Sequence, residues 1–395
     1  MQYVRSGAGL STGVVYPLVN CSRNAVSIFF LREEIMKNIL VFGGAGFIGS
    51  NLSKRILDEG HFVTVFDSLV RPGSEKNLDW LEQFGSGRLK FIRADIRDFA
   101  AVRAAVQSAD EIYHLAAQVA VTTSVEDPRA DFEVNALGTL NVLEAIRISG
   151  KRQPTVFTST NKVYGALEDV ETVETPGRYE FRDLFGGVSE SRPLDFHSPY
   201  GCSKGAADQY VRDYSRIYGL PTVVFRMSCI YGPRQFGNED QGWVAHFIIA
   251  AQTRQPLTIY GDGKQVRDVL FVDDLIRAFR TAVEKIDVTA GQVFNIGGGP
   301  SNTLSVWSEF GKYLAALKGK EITVRFDAWR PGDQPCYVSD IRKAERVMGW
   351  RPEMDKITGV KCLWNWVRSN SSLFGRPSVE VLAERPKAAA AGANQ

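Results

Sequence analysis

The residues best placed to do chemistry are Tyr200 and Lys204, four positions apart in the stretch LDFHSPYGCSKGAADQY. On a helix that spacing puts a phenol and an ammonium on one face, one turn apart. A nearby cation favours the phenolate, so the pair could take a proton from a hydroxyl and return it near neutral pH. The same spacing also describes a core tyrosine beside a solvated lysine. The elements around the pair must decide between the two.

Those elements begin at Met36. Lys37 to Phe42 is a short apolar run bounded by glycine, the pattern of a buried parallel strand. It runs into Gly43-Gly44-Ala45-Gly46-Phe47-Ile48-Gly49 and then a helical pattern from Ser50 to Glu59. Glycines spaced GxxGxxG at a strand-to-helix turn let the backbone turn tightly and approach a pyrophosphate, which the helix N-terminus faces. The next strand, His61 to Phe66, ends in Asp67, about twenty residues past the glycines, where a carboxylate can accept hydrogen bonds from an adenosine ribose. That carboxylate repels a 2′-phosphate, which predicts NAD over NADP, with Arg71 as the one nearby cation arguing the other way.

Further strands are predicted at Leu89 to Ala94, followed by Asp95-Ile96, and at Glu111 to Leu115, followed by Ala116-Ala117. Small residues after the fourth strand let a cofactor lie close to the sheet edge. A helix over Phe132 to Ile148, a strand over Pro154 to Thr160 and a sixth strand over Pro221 to Met227 continue the alternation. The fold class expected is α/β, a doubly wound parallel Rossmann sheet with a smaller, discontinuous α/β substrate-binding lobe.

Composition narrows the function. A net charge of +2 gives no global field for nucleic acid or an anionic membrane, so any anionic ligand is held locally. Cys21, Cys202, Cys229, Cys336 and Cys362 lack CxxC spacing and the four histidines are equally scattered. Neither a metal site nor a disulfide framework is expected, and reduced thiols in a cytoplasm are the default. Residues 1–35 read as an irregular N-terminal extension, consistent with an appended segment or an upstream start codon. The apolar run Ala25 to Leu31 is too short to span a bilayer. Residues 375–395 read as a disordered tail. Between them, 36–374 forms the expected enzyme unit, with 36–225 mainly dinucleotide-binding and 226–374 mainly the substrate lobe.

At Phe157 to Gly165, FTSTNKVYG, a strand ends in hydroxyls in the crevice where such sheets bind ligands. Together with GGAGFIG, HLAA, Asn135 and the Tyr200/Lys204 pair, this stretch resembles the extended short-chain dehydrogenase/reductase family of nucleotide-sugar epimerases and dehydratases, over roughly Met36 to Phe374. The resemblance implies a triad of Thr160, Tyr200 and Lys204: the phenol takes the sugar proton, Thr160 orients the sugar oxygen, and Lys204 lowers the tyrosine pKa and holds the nicotinamide ribose. It also implies that Asn135 and, beside the nicotinamide, Ser228 serve the cofactor.

The 4,6-dehydratases of that family carry an Asp-Glu pair directly after the threonine, which eliminates water. Here Asn161 and Lys162 stand in those places, so the resemblance implies epimerisation. The stretches TSTNKVYG, RQFGNEDQGWV and GKQVRDVL are similar to epimerases of O-antigen sugar biosynthesis that invert C2 of a CDP-3,6-dideoxyhexose. A UDP-hexose 4-epimerase, or a catalytically inactive dinucleotide-sensing or scaffold protein, are the alternatives. The expected partner is a nucleotide-diphosphate sugar, with no nucleic acid and no membrane, and a homo-oligomer is expected from the family.

Several residues are candidates for holding the sugar nucleotide. Asn161, Arg234, Gln235 and Gln241 lie in polar loops, and Arg267 can give bidentate hydrogen bonds to a diphosphate or form a salt bridge with Asp268 or Asp273. Thr122, Thr123 and Ser124 could face the sugar or cap the helix that begins near Pro128.

Overall fold

A strand at Asn38–Phe42 (β1) lies inside the main sheet, with Ile39 and Val41 turned to one buried layer and Leu40 and Phe42 to the other. From Ile39 to Phe42 it carries no polar side chain, as burial on both faces requires; only Asn38 at its start is exposed. The computed structural model describes residues 36–330 and 333–374; the extension and tail expected at 1–35 and 375–395 lie outside the described residues. The strands that follow in chain order are β2 (Phe62–Asp67), β3 (Leu89–Arg93), β4 (Glu111–His114), β5 (Thr155–Thr160), β6 (Thr222–Met227), β7 (Cys229–Tyr231), β8 (Val266–Phe271) and β9 (Val293–Ile296).

Seven of them form one sheet in the order β9-β6-β5-β4-β1-β2-β3, every neighbouring pair parallel. The doubly wound sheet expected from the sequence is present. The chain runs outward in one direction from β1 to β3 and in the other from β4, so the crevice between the carboxyl ends of β1 and β4 is the natural ligand site. The sheet's last strand, β9, comes from well beyond the expected division near residue 225. Beside the sheet, β8 pairs in parallel with β7 and with Cys336–Tyr337, and antiparallel with Thr303–Ser305.

Helices cover both faces. Leu52 and Ile56 of α1 (Phe47–Asp58) share one core layer with Val63 and Val65 of β2. On the other face, α2 (Gly138–Ser149) and α3 (Ser198–Tyr218) bring Val142, Ile146, Ala207 and Val211 against Leu40, Phe42 and Ile112. Leu275 and Phe279 of α4 (Val272–Glu284) return to the first layer. Finally α5 (Arg342–Met348) ends at Gly349, whose φ of 68° closes the helix.

The helix expected to run unbroken from Phe132 differs. Glu133–Leu137 forms a π turn before α2 begins at Gly138. The wider turn aims Asn135 inward, where its amide donates to Gln118 O, Asp131 Oδ1 and Ser203 Oγ at 3.0–3.1 Å.

Candidate active site

Tyr200 and Lys204 occupy the first turns of α3, which opens with Pro199 in its first turn. Three bonds fix this helix end. Ser124 Oγ accepts the Tyr200 backbone N–H at 3.2 Å, the Ser203 hydroxyl donates to Asp131 at 2.5 Å, and Asn135 reaches the same serine from the π turn. One turn beyond Lys204, Asp208 pairs with Arg226 of β6 through two hydrogen bonds, Nε–Oδ2 at 2.8 Å and Nη2–Oδ1 at 2.9 Å. Neither side chain of that pair is more than 2% exposed. His197, before the helix, pairs with Asp195 at 2.9 Å.

Both side chains are withdrawn from water, Tyr200 at 9% exposure and Lys204 at 3%. Burial pushes the Tyr200 phenol up to about 12; Thr160 hydrogen bonding and the Arg71 charge act downward, and Asp131 acts upward. The sequence expectation that Lys204 depresses this pKa does not hold in the described arrangement. Burial lowers the Lys204 ammonium itself to about 7, against the upward pull of Asp208 and Asp131, and Nζ donates to the Thr158 carbonyl at 2.6 Å. For each group desolvation is the largest cause of the shift.

This has a measurable consequence for stability. Between about pH 7 and the ordinary lysine value of 10.5, the unfolded chain holds a proton at Lys204 that the folded chain has released. The contribution of this group to stability therefore rises with pH across that window, on the order of 1.4 kcal/mol per pH unit, and the full penalty remains below pH 7. In urea titrations at several pH values, Lys204→Met should remove this slope and raise stability at pH 7. An unchanged slope would sink the assignment.

The glycine turn after β1 is built for close backbone approach. Gly43 has φ 76°, and a Cβ there would lie 2.7 Å from Ala116 N; a Cβ on Gly49 would collide with the Gly43 carbonyl. Gly46 caps α1 in an extended conformation, and Phe47 and Ile48 open the helix, partly buried against the core. Asp67 lies at the end of β2, its Oδ2 accepting Ala45 N–H at 3.0 Å and its Oδ1 accepting Leu69 N–H at 2.9 Å, and burial raises its pKa. Leu115, Ala116 and Ala117 follow β4, partly exposed beside the turn. A backbone-lined recess with a carboxylate at its far edge fits a dinucleotide. Asp95 pairs with Arg97 at 2.8 Å, and Ile96 is buried against Gly138.

At the end of β5, Thr160 is buried with its Oγ1 3.4 Å from Asn161 Oδ1 and accepting Lys162 N–H at 3.2 Å. Arg267 is buried on β8, donating through Nη1 to the Val266 carbonyl at 2.8 Å and pairing through Nη2 with Asp333 at 2.5 Å. Neither Asp268 nor Asp273 is its partner; Asp268 accepts from the Ser228 hydroxyl and from Gly299 N–H. Lys162 Nζ lies 4.0 Å from the same Asp333 oxygen. The structure thus gathers Thr160, Asn161, Lys162 and Arg267.

Other sequence candidates are engaged differently. The Arg234 guanidinium packs over Trp80 at 4.2 Å and Trp366 at 5.6 Å. Gln235 is buried and donates to the Ile230 carbonyl, and Gln241 N–H donates to Asn238 in a turn. Thr123 is exposed in the helix Val121–Glu126, and Asp127 rather than Thr122, Thr123 or Ser124 caps the helix at Pro128. Asp208, Arg226 and Asp333 carry no signal in the sequence as site residues, because each acts through a partner that only the fold brings to it. Among the described residues no group of three metal-ligating side chains converges, and no helix is long and apolar enough to cross a membrane.

Comparison with known proteins places this geometry. A family model described as GDP-mannose 4,6 dehydratase matches residues 40–362. The chain is 44% identical to CDP-paratose 2-epimerase of Salmonella typhi over 338 residues, 84% of this chain and 99% of the relative. Among solved structures, UDP-glucose 4-epimerase of Thermus thermophilus in complex with NAD is 33% identical with a TM-score of 0.69, covering 84% of this chain and 99% of that one. The dTDP-glucose 4,6-dehydratase DesIV of Streptomyces venezuelae, with NAD bound, is 30% identical with a TM-score of 0.73 over 85% and 98% of the two chains. With the glycine turn, the Asp67 carboxylate and the buried Tyr200/Lys204 pair all in place, the chain belongs to the NAD-dependent nucleotide-sugar epimerases and dehydratases of the extended short-chain dehydrogenase/reductase family.

Proposed function

We propose that this enzyme inverts C2 of a CDP-3,6-dideoxyhexose, interconverting CDP-paratose and CDP-tyvelose. The observation that carries the reading is the pair Asn161-Lys162 directly after Thr160, set beside 44% identity to a 2-epimerase. An amide and an ammonium cannot serve as the acid and base of water elimination, which leaves oxidation and reduction at one carbon.

Gly43, Gly46, Gly49 and Asp67 would hold NAD, which would supply the hydride acceptor and, on return, the donor. Tyr200 takes the C2 hydroxyl proton as the C2 hydride leaves, giving a 2-keto sugar, and restores the proton when the hydride returns to the opposite face. Thr160 directs the C2 oxygen at the phenol. Lys204, one turn further along α3, would hold the nicotinamide ribose through its ammonium. Because the sugar must present both faces, Arg267 anchors the diphosphate while the ring turns. A second copy docking on the face of α2 and α3, where Ile148, Tyr210, Ile217 and Tyr218 are exposed, accounts for the expected homodimer.

Incubation with CDP-paratose and, separately, with UDP-glucose, resolved by NMR, tests the reading. Formation of CDP-tyvelose is expected; turnover of UDP-glucose alone would overturn it.

A further inference from the structure

We infer that Lys162 selects the carbon that is oxidised, by binding the sugar's diphosphate immediately beside the proton-transfer site. The inference rests on the C2 reading and names the residue that enforces it. Lys162 lies two positions after Thr160, and its backbone N–H donates to Thr160 Oγ1 at 3.2 Å, so its main chain is tied to the hydroxyl beside Tyr200. Its side chain runs to the Arg267–Asp333 pair. Nζ lies 4.0 Å from Asp333 Oδ1, the oxygen that also pairs with Arg267.

Two cations thus share one carboxylate. Burial and the neighbouring Arg267 both disfavour the Lys162 charge, and Asp333 only partly offsets them. A diphosphate diester carries two negative charges and matches the two cations, with Arg267 supplying the planar fork and Lys162 a point charge.

Sugar geometry then fixes the reacting position. The diphosphate hangs from the oxygen on C1. The C2 hydroxyl is vicinal to that oxygen, whereas the C4 hydroxyl lies across the ring. A cation within one side chain of Thr160 therefore favours the pose that brings C2 to Tyr200. The same anchor suits the turnover of the keto sugar, because rotation about bonds next to C1 displaces C2 less than C4.

The test uses the full chain carrying NAD, with Lys162→Met and Lys162→Arg. Titration of CDP and steady-state kinetics with CDP-paratose and UDP-glucose are read beside the melting temperature. Lys162→Met should weaken CDP binding and raise KM for CDP-paratose at least about tenfold, and lower the ratio of kcat/KM for CDP-paratose over UDP-glucose by a similar factor, at an unchanged melting temperature. Lys162→Arg should recover most of the CDP affinity. Unchanged CDP affinity and an unchanged ratio in Lys162→Met would overturn the inference, as would losses that appear only together with a lower melting temperature. Wild-type enzyme that turns over UDP-glucose alone would instead overturn the C2 reading, and the inference with it, before any variant is made.

Discussion

Tyr200→Phe is expected to lower kcat about a hundred- to ten-thousand-fold while leaving the melting temperature and CDP affinity nearly unchanged. In the proposed mechanism the phenol oxygen carries the sugar proton in both directions, and phenylalanine keeps the ring that fills the same buried space. No cavity opens, and a desolvated hydroxyl is removed, so the fold loses little. Thr160→Ala should cost less, because Thr160 directs the sugar oxygen without accepting its proton. NMR-monitored turnover of CDP-paratose, with thermal melts of the same preparations, separates the two effects. If Tyr200→Phe epimerises at the wild-type rate, the acid/base assignment is wrong.

How much of this could be read from the sequence depends on how local each cause is. The strands β1 to β6 lie within two residues of their expected positions, because burial on both faces writes a continuous apolar run into the chain. The GxxGxxG turn was legible for a similar reason: Gly43 and Gly49 have no room for a Cβ, and no other residue type meets that demand. Strand β9, Val293–Ile296, was not expected: it lies beyond Met227, where the regular strand-helix alternation of the first half ends. The π turn at Glu133–Leu137 depends on Gln118 and Ser203 meeting Asn135 in space. Likewise the partner of Arg267 is Asp333, 66 residues away, while the adjacent Asp268 that the sequence suggested is occupied by Ser228. The phenol pKa was misjudged because spacing along a helix reports that Lys204 is near but not that both groups are dry.

The largest effect on the fold is expected from Asp208→Ala, which leaves the Arg226 guanidinium buried without its carboxylate and should cost about 3–5 kcal/mol in urea denaturation. Arg226 also donates through Nη1 to the Tyr164 hydroxyl at 3.1 Å, which donates to Asn295 Oδ1 at 2.7 Å, so the pair ties α3 to β6 and, through Asn295, to β9. Its loss should reach the active site by two routes. Asp208 lies one turn past Lys204, so a loosened α3 displaces both reacting groups. Asp208 also raises the Lys204 pKa, so without it the ammonium loses its proton at lower pH, and activity that needs this charge should be lost at lower pH than in the unaltered enzyme. The double variant Asp208→Leu/Arg226→Met separates these routes. Replacing both charges by apolar groups of similar bulk should restore most of the stability, because no unpaired ion is left behind. The shifted pH profile should persist, since the carboxylate that held the Lys204 charge is still missing. Recovery of the wild-type profile along with stability would mean that Asp208 acts on Lys204 only through packing.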